Sequence, residues 1–337
     1  MRVLAIEPGP AFSVADVHRG WTKALRNLGC DTINFNFQDR LNFYNAASFK
    51  KKGRWQKALS NEEAIMFSAA GIEVAAYRHW PDVVLITSCF FVPAFTRQLL
   101  RKRRHKVVLL LTESPYEDGK QLERAADADL VLLNDPTNLE RFCEVNPNTH
   151  YVPHAYDPDL HRPGPPTPEY VSDFCFVGTG FPSRRAFFEQ VDFTGIDATL
   201  AGNWLGSEGS PIAPLVPHPL DECIDNAQTV ELYRSTKASA NFYRRETEDG
   251  QSAAGWAMGP REVELAACGT FFLTEERGEN REVLPMVPTF TSPEDFEQQL
   301  RWFLQNDGAR EDIALKAREA ISDRTFESNA SRLLSLL

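Results

Sequence analysis

The segment with the clearest chemical potential reads GPREVELAACGTFFLTEE. Its Arg261 and Glu264 are three positions apart, so they share one face near the start of a predicted helix, which Gly269 ends before the strand TFFLTE. A guanidinium can bind a diphosphate, and a carboxylate can accept hydrogen bonds from both hydroxyls of a ribose. The pair therefore predicts a nucleotide-diphosphate site, with an ordinary surface ion pair as the alternative.

A glycine-rich loop, Gly178-Thr179-Gly180, follows the predicted strand DFCFV and precedes a helix that begins near Ser183. Glycines let the backbone approach a ligand closely, and the free N–H groups of a helix start can hold a phosphate. The string GTGFPS lacks the third glycine of the dinucleotide fingerprint, yet Asp197 stands about where a nicotinamide enzyme places its ribose-binding acid. A phosphate site is the first hypothesis, an NAD(P)-dependent oxidoreductase the second and a simple tight turn the third.

Candidate acid–base residues follow the first predicted strand, in the loop PGPAFSVADVHRGW. A histidine or a carboxylate suits proton transfer at neutral pH, so His18 is the first candidate for a general base, with Asp16 as its orienter or substitute. The alternative is that either side chain caps a helix. Glu113, at the end of VVLLLTE, and His154, in VPHAY, are further candidates.

Two acidic pairs resemble metal-binding motifs but are predicted to be structural. Asp127 and Asp129 precede a buried strand, and Asp157 and Asp159 open a proline-rich segment. The six cysteines are scattered, without a CxxC pair or a Cys/His cluster at zinc spacing. This pattern argues against a zinc site and predicts reduced thiols in the cytoplasm.

The elements that must position these residues alternate between apolar strands and helices. The first half begins MRVLAIEP, continues with a helix from about Val14 to Leu28 and a strand near CDTINFNF, and has predicted helical segments up to about Tyr77 before the strand DVVLITS. Continuous apolar strands between helices indicate a parallel sheet covered on both faces, the hallmark of a doubly wound α/β domain. Five prolines between Pro158 and Pro168 break regular structure and predict a linker.

The second half repeats the alternation and closes with helices. We therefore predict an N-terminal Rossmann-like domain over residues 1–160, a second one over 161–310, and C-terminal helices over 311–337 that pack back on the first domain. Two such domains leave a cleft that the carboxyl ends of both sheets face. The candidate residues are expected to line that cleft.

Composition and charge restrict the partners. The chain has 337 residues, 42% hydrophobic, with a formal net charge of −11. Its longest purely apolar run, Val107–Leu111, is far shorter than a membrane span. Cations are concentrated in two places, which makes nucleic acid a candidate partner, while a solvated helix end is the plainer interpretation of the second place. The two groups are Lys50, Lys51, Lys52, Arg54 and Lys57, and Arg101, Lys102, Arg103, Arg104 and Lys106.

Four motifs of the second half, taken in order, resemble a known family. They read GTGFPSRR, IDATLAGNW, ELYRSTKASANF and REVELAACGTFFLTEE, and a helical tail follows them. This succession is similar to the nucleotide-sugar-binding half of GT-B glycosyltransferases, most of all those of the spore maturation protein B-like (CgeB-like) family. The resemblance covers residues 171–335, and the first half only in general plan. An unrelated two-domain α/β protein is the alternative.

The resemblance implies a glycosyltransferase that moves a sugar from a nucleotide-diphosphate sugar, UDP-sugar first, to a hydroxyl acceptor on the N-terminal domain. It implies no metal and no other cofactor, and the acceptor candidates are modified DNA, a protein, a glycan or a small metabolite. Trp256 stands where related retaining enzymes carry a glutamate, so a binding module without turnover is a further alternative. Donor-binding roles fall to Gly178, Gly180, Arg184 (or Arg185), Asn241, Arg244, Arg261 and Glu264, and to Trp204, whose ring either stacks on the base or packs in the core.

Overall fold

A computed structural model describes residues 1–10, 12–247 and 253–337. The chain divides into two compact units. Unit 1 comprises Met1–Val152 together with Asn329–Leu337, and unit 2 comprises Pro153–Ser328. The boundary thus lies at Val152, whereas we predicted residue 160, and the part of the C-terminal tail that joins unit 1 begins at Asn329, whereas we predicted 311.

Unit 1 is built on a six-stranded parallel sheet with the strand order β2-β1-β5-β6-β7-β8. Every residue of β5 and β7 is buried, as expected for central strands covered by helices on both faces. The strands are β1 (Arg2–Ile6), β2 (Asp31–Phe35), β5 (Val83–Thr87), β6 (Lys106–Leu111), β7 (Leu130–Leu133) and β8 (Thr149–Tyr151). The helices are α1 (Phe12–Asn27), α2 (Phe37–Ala46), α3 (Asn61–His79), α4 (Ala94–Lys102), α5 (Asp118–Ala125) and α6 (Leu139–Val145).

A two-stranded antiparallel hairpin interrupts the region that we predicted to be helical up to Tyr77. Its strands are β3 (Ser48–Lys51) and β4 (Arg54–Lys57), between α2 and α3. The turn residues Lys52 and Gly53 have φ of 50° and 77°. Two successive positive φ angles in a two-residue loop match the twist of a hairpin and exclude a continuous helix, so the helix prediction was wrong here.

Unit 2 has a four-stranded parallel sheet with the strand order β10-β9-β11-β12. Its strands are β9 (Ser172–Val177), β10 (Ala198–Ala201), β11 (Thr236–Asn241) and β12 (Phe272–Thr274). The helices are α7 (Pro182–Phe188), α8 (Asn226–Ser235), α9 (Pro260–Cys268), α10 (Gly278–Val283), α11 (Pro293–Leu304) and α12 (Asp307–Ala320). The last helix, α13 (Phe326–Leu336), begins in unit 2 and belongs to unit 1 from Asn329 onward. Both sheets confirm the predicted α/β fold with parallel strands.

The core of unit 2 is a cluster of aromatic rings. Phe174 and Phe176 point from β9 to the same face, and Phe176 packs 5.3 Å from Phe188 and 5.4 Å from Phe242 between ring centroids. Phe296 of α11 closes the cluster 5.6 Å from Phe174. This packing fixes α7 and the segment after β11 against the sheet. None of the described helices is long and apolar enough to cross a membrane.

Candidate functional site

The carboxyl edge of the unit 2 sheet brings two of the predicted positions together. Gly178 directly follows β9, and Asn241 ends β11, the neighbouring strand. Because the chain goes from β9 to β10 on one side and returns to β11 on the other, the strand order reverses between β9 and β11. In doubly wound sheets, ligands bind outside the carboxyl ends of the strands at such a switch point.

The glycines of the loop are required by packing. A Cβ on Gly180 would lie 2.5 Å from the indole of Trp204, and one on Gly202, whose φ is +108°, would lie 2.5 Å from the carbonyl oxygen of Gly178. Trp204 itself is completely buried in the aromatic core. Its ring therefore packs in the core, one of the two roles that the sequence left open, and offers no face on which a base could stack in this conformation.

Arg184 connects the two loops that flank the switch point. Its Nη1 donates to the carbonyl of Thr179, at 3.0 Å, and its Nη2 to that of Phe242, at 2.5 Å. Its guanidinium carbon lies 5.1 Å from the ring centroid of Phe181, and that of Arg244 lies 5.5 Å from the same centroid. Two cations are thus concentrated at this edge, where an anion would be attracted.

A carboxylate already occupies the start of α7, where the sequence predicted a phosphate. Glu246 Oε1 accepts a hydrogen bond from the backbone N–H of Ser183, at 3.1 Å. Burial opposes ionisation of Glu246, but the hydrogen bonds from Ser183 outweigh it and hold the pKa of the carboxyl below its ordinary value. Sequence reasoning missed Glu246 because the contact joins residues 63 positions apart.

The predicted pair on α9 forms. Arg261 Nη1 lies 2.7 Å from Glu264 Oε2, and the two side chains are 33% and 10% exposed. Gly269, with φ +72°, ends the helix as predicted. The buried ring of His161, which the sequence did not single out, places its Nε2 3.9 Å from the other Glu264 oxygen and 3.1 Å from Nδ2 of Asn226.

A second carboxylate on α9 fixes the start of the helix. Glu262 is completely buried, and although burial raises the pKa of its carboxyl, several donors counter that effect. Those donors are Tyr243 Oη at 2.5 Å, the Gly259 N–H at 2.8 Å, Thr274 Oγ1 at 2.9 Å and Asn280 Nδ2 at 3.1 Å. The predicted donor-binding residue Asn241 joins this network, because its Nδ2 donates to Thr274 Oγ1 at 3.2 Å.

In unit 1, the structure places His18 in a buried chain of polar groups. Its Nδ1 lies 3.2 Å from Thr87 Oγ1 and its Nε2 lies 2.6 Å from Asn34 Oδ1. Asn34 in turn donates to Glu7 Oε1, at 2.6 Å. Burial lowers the pKa of His18 and raises that of Glu7. Both ring nitrogens of His18 thus have partners, and this chain of hydrogen bonds ends at the half-buried Glu7, directly after β1.

The remaining acid–base candidates, Asp16, Glu113 and His154, lie in three different parts of the chain. Asp16 pairs with Arg19, one helical turn on, so the partner that orients His18 is Asn34. Glu113 lies just beyond β6, where its backbone N–H donates to Gln121 Oε1 at 3.3 Å. His154 is partly buried and belongs to unit 2.

The acidic pairs that resemble metal motifs form contacts within the fold. Asp127 lies 2.9 Å from Arg97 and Asp129 lies 2.9 Å from Arg101, between side-chain atoms. Asp157 Oδ1 accepts from the N–H of Asp159. Over residues 1–10, 12–247 and 253–337, no group of three His, Cys, Asp or Glu side chains could hold a metal ion. All six cysteines, each within those ranges, are free thiols.

Asp197 lies at the wrong edge of the sheet for the oxidoreductase hypothesis. It precedes β10, and its N–H donates to Asp173 Oδ2 beside the start of β9, at 3.0 Å. A ribose-binding acid must stand beside the glycine loop, at the carboxyl edge. Four residues of strand separate Asp197 from that edge, or about 13 Å. The oxidoreductase hypothesis is therefore left without the ribose-binding carboxylate on which it depended.

Solved structures of other proteins share the α/β fold described above. The chain superposes over its full length on sucrose-phosphate synthase from Thermosynechococcus elongatus, with a TM-score of 0.67, 12% identity and 98% of that chain covered. The chain has the GT-B glycosyltransferase fold. An alpha-glucosyltransferase in complex with UDP has the same GT-B fold, with a TM-score of 0.66, 12% identity, and 99% of this chain and 98% of that chain covered.

The GT-B fold also occurs in a putative UDP-N-acetylglucosamine 2-epimerase from Listeria monocytogenes, with a TM-score of 0.63, 14% identity, and 99% and 95% coverage. The fold alone therefore does not decide the reaction. Residues 184–335 match the family model described as glycosyl transferase-like, a range that includes the Arg261–Glu264 pair. None of the curated proteins matches the chain. The family match and the fold together support glycosyl transfer.

Proposed function

We propose that this chain is a glycosyltransferase that moves a sugar from a nucleotide-diphosphate sugar, UDP-sugar first, to a hydroxyl acceptor bound by unit 1. The observation that carries the proposal is the Arg261–Glu264 pair on α9, within the glycosyl transferase-like segment. The order of the four second-half motifs supports membership of the CgeB-like subfamily. The free thiols support a cytoplasmic location.

The donor half of the mechanism follows from the chemistry of the pair. Glu264 is the acceptor for the ribose hydroxyls, and Arg261, one third exposed, is the cation for the diphosphate. Arg184 and Arg244, beside the loop after β9, add positive charge for the leaving diphosphate. Because these side chains can bind the ribose and stabilise the diphosphate without a metal ion, we propose metal-independent transfer.

The acceptor half depends on removal of a proton from the attacking hydroxyl. Glu7 is the group of unit 1 best suited to accept it, because it lies directly after β1 and burial raises the pKa of its carboxyl above the ordinary value. Asn34 holds Glu7 through one hydrogen bond, and His18 holds Asn34 through another. We therefore assign His18 a positioning role and Glu7 the role of base.

A catalytically inactive nucleotide-sugar-binding module is the second candidate, and the position of Trp256 favours it. A Cβ on Gly278 would lie 2.0 Å from Nε1 of the Trp256 indole, so this ring packs directly on the backbone at the start of α10. The indole thus fills a position where related retaining enzymes carry a carboxylate.

The decisive measurement is a thermal-shift titration with UDP, GDP, dTDP, CDP, their sugars and NAD(P)(H). A nucleotide that binds only the folded state adds about 2.7 kcal/mol at a hundredfold excess over its Kd. We expect one nucleoside diphosphate and its sugar to raise Tm, and Glu264→Gln to abolish the shift. Asp312→Asn, which removes a carboxylate from an exposed ion pair with Lys316, should leave the shift intact.

Turnover separates the transferase from the inactive module. Glu7→Gln should keep the nucleotide-dependent Tm shift and slow release of UDP from UDP-sugar by about a hundredfold or more. Equal shifts for the wild type and the Glu264 variant would reject the donor site. A shift without any turnover in the wild type would favour the binding module, and a shift with NAD(P)(H) alone would restore the oxidoreductase.

A further inference from the structure

The hairpin of unit 1 carries a concentrated, exposed positive charge. Residues 48–57, here called the basic ribbon, contain five lysine and arginine residues and no aspartate or glutamate, in a protein of net charge −11. Every residue of the ribbon is exposed. The ribbon therefore contributes nothing to the core of unit 1, and its charge faces solvent.

The register of the ribbon distributes this charge over both faces. Lys51 pairs with Arg54 and Lys50 pairs with Trp55. Because successive side chains of a strand point to opposite faces, Lys51 and Arg54 lie on one face and Lys50 and Trp55 on the other. Lys52 stands at the tip, in the tight turn described above. Cations thus lie on both faces of the ribbon and at its tip.

Two aromatic side chains accompany the cations. Phe49 is 45% exposed and Trp55 is 72% exposed, and they lie on opposite faces of the ribbon. Exposed rings of this size on a two-stranded element without a core indicate a binding surface. Interleaved cations and aromatic rings suit a partner that combines phosphates with flat, apolar groups.

The shape of the ribbon selects among polyanions. A membrane or a flat protein surface would contact one face and leave the cations of the other face in water. A groove with phosphates on both walls contacts both faces. The major groove of B-form DNA is about 12 Å wide and admits a two-stranded ribbon, whereas the deep, narrow major groove of A-form RNA does not. The four-residue strands of the ribbon span about 13 Å, a length comparable to that groove.

The second basic run is less available for a partner. Arg101 pairs with Asp129, and Lys106 Nζ donates to the carbonyl oxygen of Leu337, at 2.7 Å. These two cations therefore have partners within the fold, whereas the plainer interpretation of that run was a solvated helix end. Lys102, Arg103 and Arg104 remain exposed and provide a matched control.

We infer that the basic ribbon binds duplex DNA by insertion into the major groove. The inference stands on unit 1 alone and is independent of the donor chemistry proposed for unit 2. If transfer also holds, DNA becomes the favoured acceptor among the four classes named above.

The test is fluorescence anisotropy of the full chain, without nucleotide sugar, against a labelled 20-bp DNA duplex over a series of salt concentrations. We expect the triple variant Lys51→Gln, Lys52→Gln and Arg54→Gln to lower the affinity about tenfold or more and to reduce the salt slope by about 2.7, since each phosphate contact contributes about 0.9. The variant should keep the wild-type Tm, because the three side chains are exposed.

The control triple variant Lys102→Gln, Arg103→Gln and Arg104→Gln removes the same charge and should bind within about threefold of the wild type. A loss as large as that of the ribbon variant would show an effect of net charge alone and overturn the inference. Absence of DNA binding, or tighter binding to duplex RNA of the same sequence or to vesicles containing phosphatidylserine, would overturn it as well.

Discussion

At the scale of single residues, hydrogen-bond partners and burial influence which candidate groups can react. His18 has the residue type of a general base, but its ring is buried and both nitrogens have partners, Thr87 and Asn34. Glu7 drew no attention in the sequence, yet it ends the same chain of contacts with a raised pKa. The pKa values of both groups thus depend on burial and partners as well as on residue type.

The lowered pKa of His18 makes the stability of the protein depend on pH. The imidazole of His18 binds a proton less tightly in the folded protein than in the unfolded chain. Its contribution to the free energy of unfolding is therefore complete above the unfolded pKa of about 6.5. It is lost as the pH falls below that value, and each tenfold difference in proton affinity corresponds to about 1.4 kcal/mol. Urea unfolding at pH 7.5 and pH 5.5 measures the loss.

The matched variants for this prediction are His18→Gln and His150→Gln. The first should unfold more easily than the wild type at pH 7.5 but lose less stability on acidification. The second, which alters a partly buried histidine of β8, should follow the wild type. Identical pH slopes for the wild type and His18→Gln would contradict the account of the buried imidazole.

At the scale of elements, packing fixes the loop at the switch point before any ligand binds. The backbone of Gly202, after β10, passes so close to Gly178 that a Cβ on Gly202 would collide with the Gly178 carbonyl oxygen. On the other side of β9, Arg184 joins the loop to the segment after β11 through hydrogen bonds to Thr179 and Phe242. The loop is therefore preorganised by its neighbours, which lowers the cost of ordering it around a ligand.

Gly202→Ala tests this preorganisation, and Gly195→Ala is its control. Both glycines have positive φ, +108° and +77°, but a Cβ on Gly195 would meet nothing within 4 Å. We expect Gly195→Ala to cost about 1 kcal/mol from the backbone conformation alone, and Gly202→Ala about 3 kcal/mol or more because it also meets a carbonyl oxygen. Equal losses in the free energy of unfolding for the two variants, measured by chemical denaturation, would show that the structure accommodates a Cβ at position 202 without penalty.

At the scale of the whole molecule, the fold and the charge distribution support the proposed reaction and the proposed partner. The GT-B fold covers the full chain, and the described residues contain no candidate metal cluster. Unit 1 carries the basic ribbon within a protein that is acidic overall. The ribbon therefore provides a local site of attraction for a polyanion on unit 1.

Metal-independent transfer predicts that chelation has no effect. In 5 mM EDTA, roughly a thousandfold above adventitious metal, UDP release from UDP-sugar should stay within about twofold of the untreated rate, because cations of the chain stabilise the leaving diphosphate. Restoration of a lost rate by Mg²⁺ or Mn²⁺ would contradict this prediction. A metal-dependent phosphatase in the same buffer provides the positive control for chelation.

Several features of this protein were determined by the sequence alone. The alternation of apolar strands and helices predicted parallel α/β sheets, the spacing of Arg261 and Glu264 predicted their ion pair, and Gly269 predicted the end of α9. Each of these depends on contacts between near neighbours along the chain or on a local backbone preference. Periodicity and spacing encode such properties directly.

The tertiary structure alone decided the partners of the polar groups. It buried Trp204, placed Asp197 at the amino edge of its sheet, and joined His18 to Thr87, 69 residues away. It also left the basic ribbon exposed, although the local sequence was compatible with helix. Burial and hydrogen bonding between distant segments depend on strand order and packing, which residue types and local spacing do not specify.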